Sequence, residues 1–297
     1  MSLAMRMTRT FLRTRPNVFV TEGRLREALR QSRHDAPVPA ALRRSCHVST
    51  EVVDGHTVTT VTPKSGASGT ELIYLHGGAY VRPLVGPHWS IIATLIRRTG
   101  ATVIVPLYGL APHYHADDAY KFLDSVYPAV LQRAGHNPVF LAGDSAGAGL
   151  VVGQAIRCRD EGLRPPDGLL LFSPWVDVTM TNPGIAALID LDPMLAPAGL
   201  AAAGRDWAGA RSVTDPLVSP LHDTLKDLPP TYIYQGGHDI FLPDVERFAA
   251  KAQAAGTHVD LRVWPTAFHV FVGAGWTREA RQALSDAADH IKSGTRN

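Results

Sequence analysis

The sequence predicts an α/β fold: one mostly parallel sheet with helices on both faces. Short apolar runs alternate with helical patterns along most of the chain, and this alternation produces parallel strands joined by crossover helices. Because parallel sheets are covered on both faces, their strands are apolar throughout, as these runs are. With 297 residues and 45% hydrophobic content, the chain is long enough to bury one large core.

Each element follows from its local pattern. A Thr- and Val-rich stretch at 48–63 predicts a hairpin. Six further strands are expected at 71–75, 102–107, 139–143, 168–173, 231–235 and 258–263. The accompanying helices are expected at 88–99, 116–134, 145–160, 240–255 and 276–292. The hairpin and the six strands together predict an eight-stranded sheet.

Two segments lie outside this alternation. Residues 1–47 contain an amphipathic pattern with Leu25, Ala28 and Leu29 on one face. Residues 176–215 are rich in Ala, Gly and Pro, with a helix expected from 197 to 209. We expect 1–47 to be an N-terminal arm and 48–297 to be the catalytic domain, with the insertion near 176–215 joining the arm in a helical cap.

The segment around Ser145 has the pattern of a nucleophile elbow. A buried strand leads into a tight turn, Gly143-Asp144-Ser145-Ala146-Gly147, and a helix follows. Such a turn exposes the serine hydroxyl above the sheet, and the glycines at its ends avoid collisions with neighbouring backbone. Ser145 is therefore the expected nucleophile. A serine that merely caps a buried helix is the structural alternative.

A glycine-rich turn follows the strand at 71–75. It reads His76-Gly77-Gly78-Ala79-Tyr80. Acyl transfer needs backbone N–H groups directed at the oxyanion of the tetrahedral intermediate, and small residues allow that close approach. We expect Gly78, Ala79 and Ala146 to donate them, with His76 holding the loop without transferring protons. The alternative is a plain glycine turn closing a strand.

The acid and the base are expected late in the chain, in the order Ser, Asp, His. Asp239 follows the strand at 231–235, and His269 lies on the loop after the last predicted strand. His269 would accept the proton of Ser145 while Asp239 fixes the imidazole tautomer. Asp244 and Glu246 are rival acids, but their place within the next helix predicts a solvated face.

Four aromatic residues are candidates to line the acyl or alcohol pocket. They are Tyr80, Trp175, Trp207 and Phe241. Pockets for small ligands are predominantly lined by apolar and aromatic side chains. Ordinary packing in the core or the cap is an equally open interpretation.

With these motifs, the chain resembles the hormone-sensitive-lipase-like branch of the α/β-hydrolase esterases from about Val52 onward. Supporting stretches are Gly109-Leu110-Ala111-Pro112, Ser173-Pro174-Trp175, Asp215-Pro216-Leu217 and Ser219-Pro220-Leu221. The resemblance implies an α/β-hydrolase fold and a cofactor-free carboxylesterase for short- to medium-chain acyl esters. The chain departs from the family pattern at Ala79, at 107–113, and at 240–243 after Asp239.

The expected substrate is a small-molecule ester, cleaved through an acyl-enzyme on Ser145. An amidase or peptidase would use the same three residues, so this alternative stays open. A ligand receptor on a hydrolase fold is the second alternative, although such proteins typically lack one of the three.

Composition limits the partners. Residues 1–50 hold ten arginines against three acidic residues, a net charge of +7, whereas the remainder carries −5. A basic arm suits an anionic lipid surface, but a solvated cap face is the simpler interpretation. The chain has no basic stripe interleaved with aromatic residues, so we do not expect it to bind nucleic acid. A homodimer is left open.

Nothing in the sequence indicates export or a metal. The chain shows no apolar run of signal-peptide or membrane-spanning length, so a cytoplasmic location is expected. Cys46 and Cys158 make neither a disulfide framework nor a zinc site. The run 113–115 holds two histidines without nearby acid or thiol ligands, so we expect no metal.

Overall fold

The computed structural model describes residues 1–31 and 34–294. Its centre is one sheet whose eight strands are β1 (Cys46–Val53), β2 (His56–Pro63), β3 (Glu71–Leu75), β4 (Thr102–Pro106), β5 (Val139–Asp144), β6 (Gly168–Phe172), β7 (Thr231–His238) and β8 (Val259–Phe268). Its helices are α1 (Leu3–Arg13), α2 (Glu22–Leu29), α3 (Ala40–Ser45), α4 (Gly86–Thr99), α5 (Ala116–Ala134), α6 (Ala146–Asp160), α7 (Pro197–Ala208), α8 (Leu242–Ala254) and α9 (Arg278–Gly294).

The strand order across the sheet is β1-β2-β4-β3-β5-β6-β7-β8. The pairs β1–β2 and β2–β4 are antiparallel, and all other neighbours are parallel. The predicted α/β fold with a mostly parallel eight-stranded sheet is therefore confirmed. Because parallel strands end at the same sheet edge, the residues that follow β3, β5, β7 and β8 converge there.

The core lies on both faces of this sheet. Alternate residues of β3 point to opposite sides: Leu72 and Tyr74 pack into one hydrophobic cluster, Ile73 and Leu75 into the other. Helices α4 and α9 cover the first face, and α5, α6 and α8 cover the second. The central strands are buried over their whole length, which explains their continuous apolar runs.

Most predicted boundaries agree with the structure to within two residues, but β7 and β8 are longer than expected. β7 continues through Gly236 and Gly237, and β8 continues to Phe268. Gly236 pairs with Trp264 and His238 pairs with Phe268, with an irregularity in the register between them. A side chain at Gly237 would collide with the backbone of Pro265.

The N-terminal arm contains three helices where one was expected. Helix α2 packs against α7, and its Leu25 shares a hydrophobic cluster with Leu200 and Trp207. Helix α1 lies elsewhere, against α9, and buries only Met5. None of the helices within 1–31 and 34–294 is both long enough and apolar enough to cross a bilayer.

Candidate active site

Ser145 stands between the end of β5 and the first residue of α6. Its backbone angles, φ +53° and ψ −121°, lie in a region that non-glycine residues rarely occupy. The neighbouring backbone enforces this turn. A side chain at Gly147 would collide with the carbonyl group of Leu75, and one at Gly143 with the backbone of Gly147. Strain of this kind persists where the surrounding structure fixes it, and it clusters at functional sites.

The three predicted site residues meet at the sheet edge. The Oγ atom of Ser145 lies 2.9 Å from Nε2 of His269, and Nδ1 of His269 lies 2.9 Å from Oδ2 of Asp239. All three side chains are buried. The other carboxylate oxygen of Asp239 accepts the backbone N–H of Phe241 at 2.9 Å, which fixes the orientation of the acid. A neutral His269 with its proton on Nδ1 donates to Asp239 and accepts from Ser145.

The imidazole of His269 is a stronger base than its burial alone would allow. Burial lowers the pKa of His269, but the charge of Asp239 and the hydrogen bond to it outweigh this effect. The pKa of His269 is therefore raised above its ordinary value. This environment suits a group that must take a proton from a serine hydroxyl and hold it as an imidazolium.

The glycine-rich loop after β3 reaches the same place. Gly78 has φ +122° and Ala79 has φ +55°, both positive values. Both residues line one cavity with Ser145, and Ala146 follows Ser145 directly. Within the described residues, the N–H groups of Gly78, Ala79 and Ala146 have no protein acceptor. The methyl group of Ala79, where the family pattern has glycine, is buried and leaves this N–H in place.

A buried carboxylate connects the elbow to that loop. Oδ1 of Asp144 accepts the hydroxyl of Tyr74 at 2.7 Å and the N–H of Gly77 at 3.1 Å. Oδ2 of Asp144 faces Nε2 of His88 at 3.3 Å. Burial raises the pKa of Asp144, but the facing His88 and the two hydrogen bonds outweigh it, so the pKa is lowered. No local pattern in the sequence indicates these contacts of Tyr74, Asp144 and His88.

His76 makes its contacts within the glycine-rich loop and with Tyr108. Its Nδ1 lies 2.7 Å from the carbonyl oxygen of Gly77, and its ring stacks on Tyr108 with the ring centroids 4.6 Å apart. The Tyr108 hydroxyl also donates to the carbonyl of His76 at 2.6 Å. Burial lowers the pKa of His76 to about 4, so the ring is neutral at neutral pH. The divergent stretch 107–113 thus supports the loop through Tyr108.

Asp192 is a second acid near His269, and no local motif of the sequence indicates it. Its Oδ1 accepts the N–H groups of Met194 and Leu195, at 2.8 and 3.0 Å. Its Oδ2 accepts the N–H of Ile240 at 3.1 Å, next to Asp239. Burial, together with the charge of Asp239, raises the pKa of Asp192 to about 6. Asp192 joins the inserted segment to the loop that carries Asp239.

A cavity of about 370 Å³ opens above Ser145 and His269. Its walls come from the loops at the sheet edge, from α1 and from the inserted segment. Apart from the residues already described, the lining comprises Thr8, Leu12, Phe19, Arg82, Pro83, Val85, Pro87, Leu200, Phe268, Val270, Gly273, Ala274 and Trp276. Most of this lining is apolar, so the cavity suits a hydrocarbon chain or ring.

The four aromatic residues expected in the pocket are not on its wall. They are fully buried and form one stacked row behind the site. The ring of Trp207 lies 4.0 Å from that of Tyr80, Tyr80 lies 5.6 Å from Trp175, and Trp175 lies 5.6 Å from Phe241. The Phe241 ring meets His269 edge-on at 5.0 Å. The rings bury their large apolar surfaces against one another, and the resulting row packs behind the site.

The structure differs from expectation at one of the two rival acids. Glu246 is exposed on α8, as expected, but Asp244 is buried and not solvated. Its Oδ1 accepts the side-chain amide of Asn182 at 2.7 Å. Burial raises the pKa of Asp244. Helical periodicity did not reveal this burial, because the segment containing Asn182 covers the start of α8.

The fold and the site define a class of protein. A serine at the turn after β5, an acid after β7 and a histidine after β8, on a sheet of this order, are the features of an α/β hydrolase. The chain belongs to the alpha/beta hydrolase fold family, which it matches over residues 72–273.

Individual relatives agree with this assignment. An esterase from Acinetobacter venetianus is 33% identical over 234 residues, covering 77% of each chain. A solved hormone-sensitive lipase from a metagenome library is 25% identical, covers 98% of both chains and superposes with a TM-score of 0.83. The esterase EstE5, in a crystal soaked with p-nitrophenyl butyrate, is 26% identical over the full length of both chains, with a TM-score of 0.86. The resemblance to hormone-sensitive-lipase-like esterases is confirmed.

Proposed function

We propose that the protein hydrolyses carboxylic esters through an acyl-enzyme on Ser145. The observation that carries this proposal is the continuous line of hydrogen bonds from Ser145 through His269 to Asp239, buried beside an apolar cavity. The relatives that are named esterases support the reaction class. Neither a metal nor an organic cofactor is needed for this chemistry.

In the acylation step, Nε2 of His269 takes the hydroxyl proton while Ser145 Oγ bonds to the ester carbonyl carbon. The oxyanion that forms is stabilised by the N–H groups of Gly78, Ala79 and Ala146, which have no other acceptor in the described chain. The intermediate then collapses. The bond to the alcohol oxygen breaks, and the imidazolium returns its proton to the leaving alcohol.

In the deacylation step, a water molecule replaces the alcohol. His269 takes a proton from this water as its oxygen attacks the acyl carbon, and a second tetrahedral intermediate uses the same N–H groups. Collapse releases the carboxylic acid, and His269 returns the proton to Ser145 Oγ. Asp239 stays ionised throughout and stabilises the imidazolium.

The cavity supports short- to medium-chain acyl groups as substrates. Its volume of about 370 Å³ lies near the lower end of typical small-ligand sites. We propose that residues 1–47 and 176–215 act together as the cap, because α1, Phe19 and residues 194–200 supply the wall away from the sheet. Comparing p-nitrophenyl esters from acetate to palmitate will test this, with kcat/KM expected to fall on long chains.

Replacing the nucleophile tests the mechanism. Ser145→Ala should lower kcat on p-nitrophenyl butyrate by about 10⁴-fold or more, because no other group forms the acyl-enzyme. Ser293→Ala, at an exposed position on α9, should leave kcat unchanged. Activity that survives in Ser145→Ala would show that another residue is the nucleophile.

Two further assays separate the remaining classes. An ester and its matched amide distinguish an esterase from an amidase or peptidase, and we expect turnover of the ester alone. Labelling by a fluorophosphonate, lost in Ser145→Ala, distinguishes a hydrolase from a receptor. The cytoplasmic location, the absence of nucleic-acid binding and the homodimer stay predictions. Light scattering of the purified chain will test the last.

A further inference from the structure

Helix α1 exposes an apolar stripe. Leu3, Met7 and Phe11 are 70%, 64% and 53% exposed. Residues spaced by four lie above one another on a helix, so these three side chains form one continuous line. The opposite side of the helix is occupied, because Met5 is buried in the core and Leu12 lines the cavity. Helix α1 is therefore apolar on its outer side as well as its inner side.

Basic side chains flank this stripe. Arg6, Arg9, Arg13 and Arg15 lie in or just after α1, and no acidic residue precedes Glu22. Arg9 bonds to His238, and Arg13 donates to the carbonyl of Asp190 at 3.0 Å, so these two contacts fix the helix on the body of the protein. Arg6 and Arg15 are exposed, and the guanidinium of Arg15 lies over the Phe11 ring, 4.5 Å from its centroid. Apolar and cationic groups thus share one outer face.

The same face borders the mouth of the cavity. Trp276 is 62% exposed and also lines the cavity. Its indole N–H donates to Oγ1 of Thr8, another lining residue on α1, at 3.0 Å. An aromatic ring with a polar N–H is typical of side chains that settle at a lipid–water boundary. The stripe, Trp276 and the entrance to the site therefore form one surface.

We propose that this surface, formed by Leu3, Met7, Phe11, Arg6, Arg15 and Trp276, binds the face of an anionic phospholipid bilayer. Helices that bind lipid surfaces insert their apolar side chains at the acyl boundary while basic side chains meet anionic headgroups. Charge favours this occupant over a second copy of the chain. A two-fold pairing through the stripe would bring two equivalent arginine clusters together, with no acidic residue in α1 to offset them.

Binding in this orientation places the cavity mouth against the lipid, so hydrophobic esters dissolved there reach Ser145 without crossing water. This consequence rests on the proposed esterase function. The binding does not, because it involves no catalytic residue. The two are therefore tested with different proteins and different readouts.

The binding test uses the full-length chain carrying Ser145→Ala, so that the vesicles remain chemically intact. Cosedimentation should show binding to vesicles of phosphatidylglycerol and phosphatidylcholine in equal parts, and little binding to phosphatidylcholine alone. Binding should weaken at 0.5 M salt because the electrostatic part is screened. Emission from Trp276 should be quenched by brominated acyl chains, and the quenching should disappear in Trp276→Phe.

Surface variants in the Ser145→Ala background identify the face. Met7→Ser combined with Phe11→Ser should lower the partition coefficient by at least about ten-fold. Val52→Ser combined with Leu163→Ser, which removes exposed apolar side chains elsewhere, should not change it.

Arg6→Gln should weaken binding by about five-fold, the effect of one basic residue near an anionic surface. Arg97→Gln, at an exposed position of α4, is its control.

Three results would overturn the proposal: no binding to anionic vesicles, equal binding to neutral ones, or equal effects of both pairs of apolar variants. A dimer in solution that Met7→Ser and Phe11→Ser dissociate would assign the stripe to a second copy instead. If the protein binds anionic vesicles but the wild-type chain is inactive on every ester, the proposed lipid-binding surface stands and the proposed esterase function is rejected.

Discussion

The carboxylate of Asp144 accepts the backbone N–H of Gly77 at 3.1 Å. This bond joins two loops that are 67 residues apart in the sequence: the elbow that presents Ser145 and the loop that presents Gly78 and Ala79. Because Asp144 also accepts the hydroxyl of Tyr74 and faces His88, it is held on three sides. The distance between nucleophile and oxyanion donors therefore depends on one buried side chain.

Asp144→Asn should lower kcat by about 10- to 100-fold with a small change in KM, because displaced donors mainly weaken transition-state binding. Nδ1 of His88 accepts the N–H of Val85, so Nε2 carries the proton and would face the new amide NH₂. Steady-state kinetics on p-nitrophenyl butyrate measures the effect. Asp124→Asn, which alters an exposed carboxylate paired with Arg157, is the control. An unchanged kcat would show that the loop is held by other contacts.

The pH dependence of kcat/KM should report the raised pKa of His269. The imidazole must be neutral to accept the serine proton, so activity should fall in acid with an apparent pKa above 6.5. Asp239→Asn removes the charge that raises this pKa. It should shift the acid limb to lower pH and reduce kcat by about 10⁴-fold.

The matched variant for this profile is Asp244→Asn, which alters a buried acid that does not contact His269. Its acid limb should coincide with that of the wild type, because Asp244 bonds to Asn182 and not to His269. A shift of equal size in both variants would contradict the assignment of Asp239 as the acid partner.

Asp192 should make stability depend on pH. Its pKa is raised from 3.8 to about 6 in the folded chain, so its contribution is fully present below pH 3.8 and is lost as pH rises through 6. The free energy of unfolding of Asp192→Asn, measured relative to that of the wild type, should therefore be higher at pH 7 than at pH 4.5. Urea unfolding at both values measures this, with exposed Asp190→Asn as the control. A pH-independent difference would refute the raised pKa.

Trp207→Ala should lower the free energy of unfolding by about 3–5 kcal/mol, the usual cost of removing a fully buried tryptophan. The indole stacks on Tyr80 within 3° of parallel and is almost completely buried. Trp276→Ala removes the same side chain at an exposed position, so its effect on unfolding should be much smaller. Equal losses of stability in urea unfolding would contradict the different packing of the two rings.

The sequence identified those parts of the site whose signal is local. The turn around Ser145, the strand end before Asp239 and the position of His269 each follow from composition within a few residues. Asp192 and Asp244 could not be assigned in this way. Their burial comes from partners 48 and 62 residues away, and only the folded chain brings these partners together.

The aromatic candidates also show what local sequence does not reveal. Tyr80, Trp175, Trp207 and Phe241 lie near the site, as their positions in the sequence suggested, but apolar character does not tell a cavity wall from a packed interior. The lengths of strands β7 and β8 were also predicted too short. The composition near 231–235 does not show that β8 passes close beside Gly236 and Gly237, where β7 continues to His238.

The stack of Trp207 on Tyr80 gives the protein a built-in optical probe. Two parallel rings 4.0 Å apart couple their electronic transitions and so contribute to circular dichroism in the near ultraviolet. One ring belongs to α7, and the other follows Ala79 in the loop after β3. A displacement of α7 relative to this loop would separate the rings and reduce that signal. The motion of this helix is thus open to spectroscopy on the unlabelled chain.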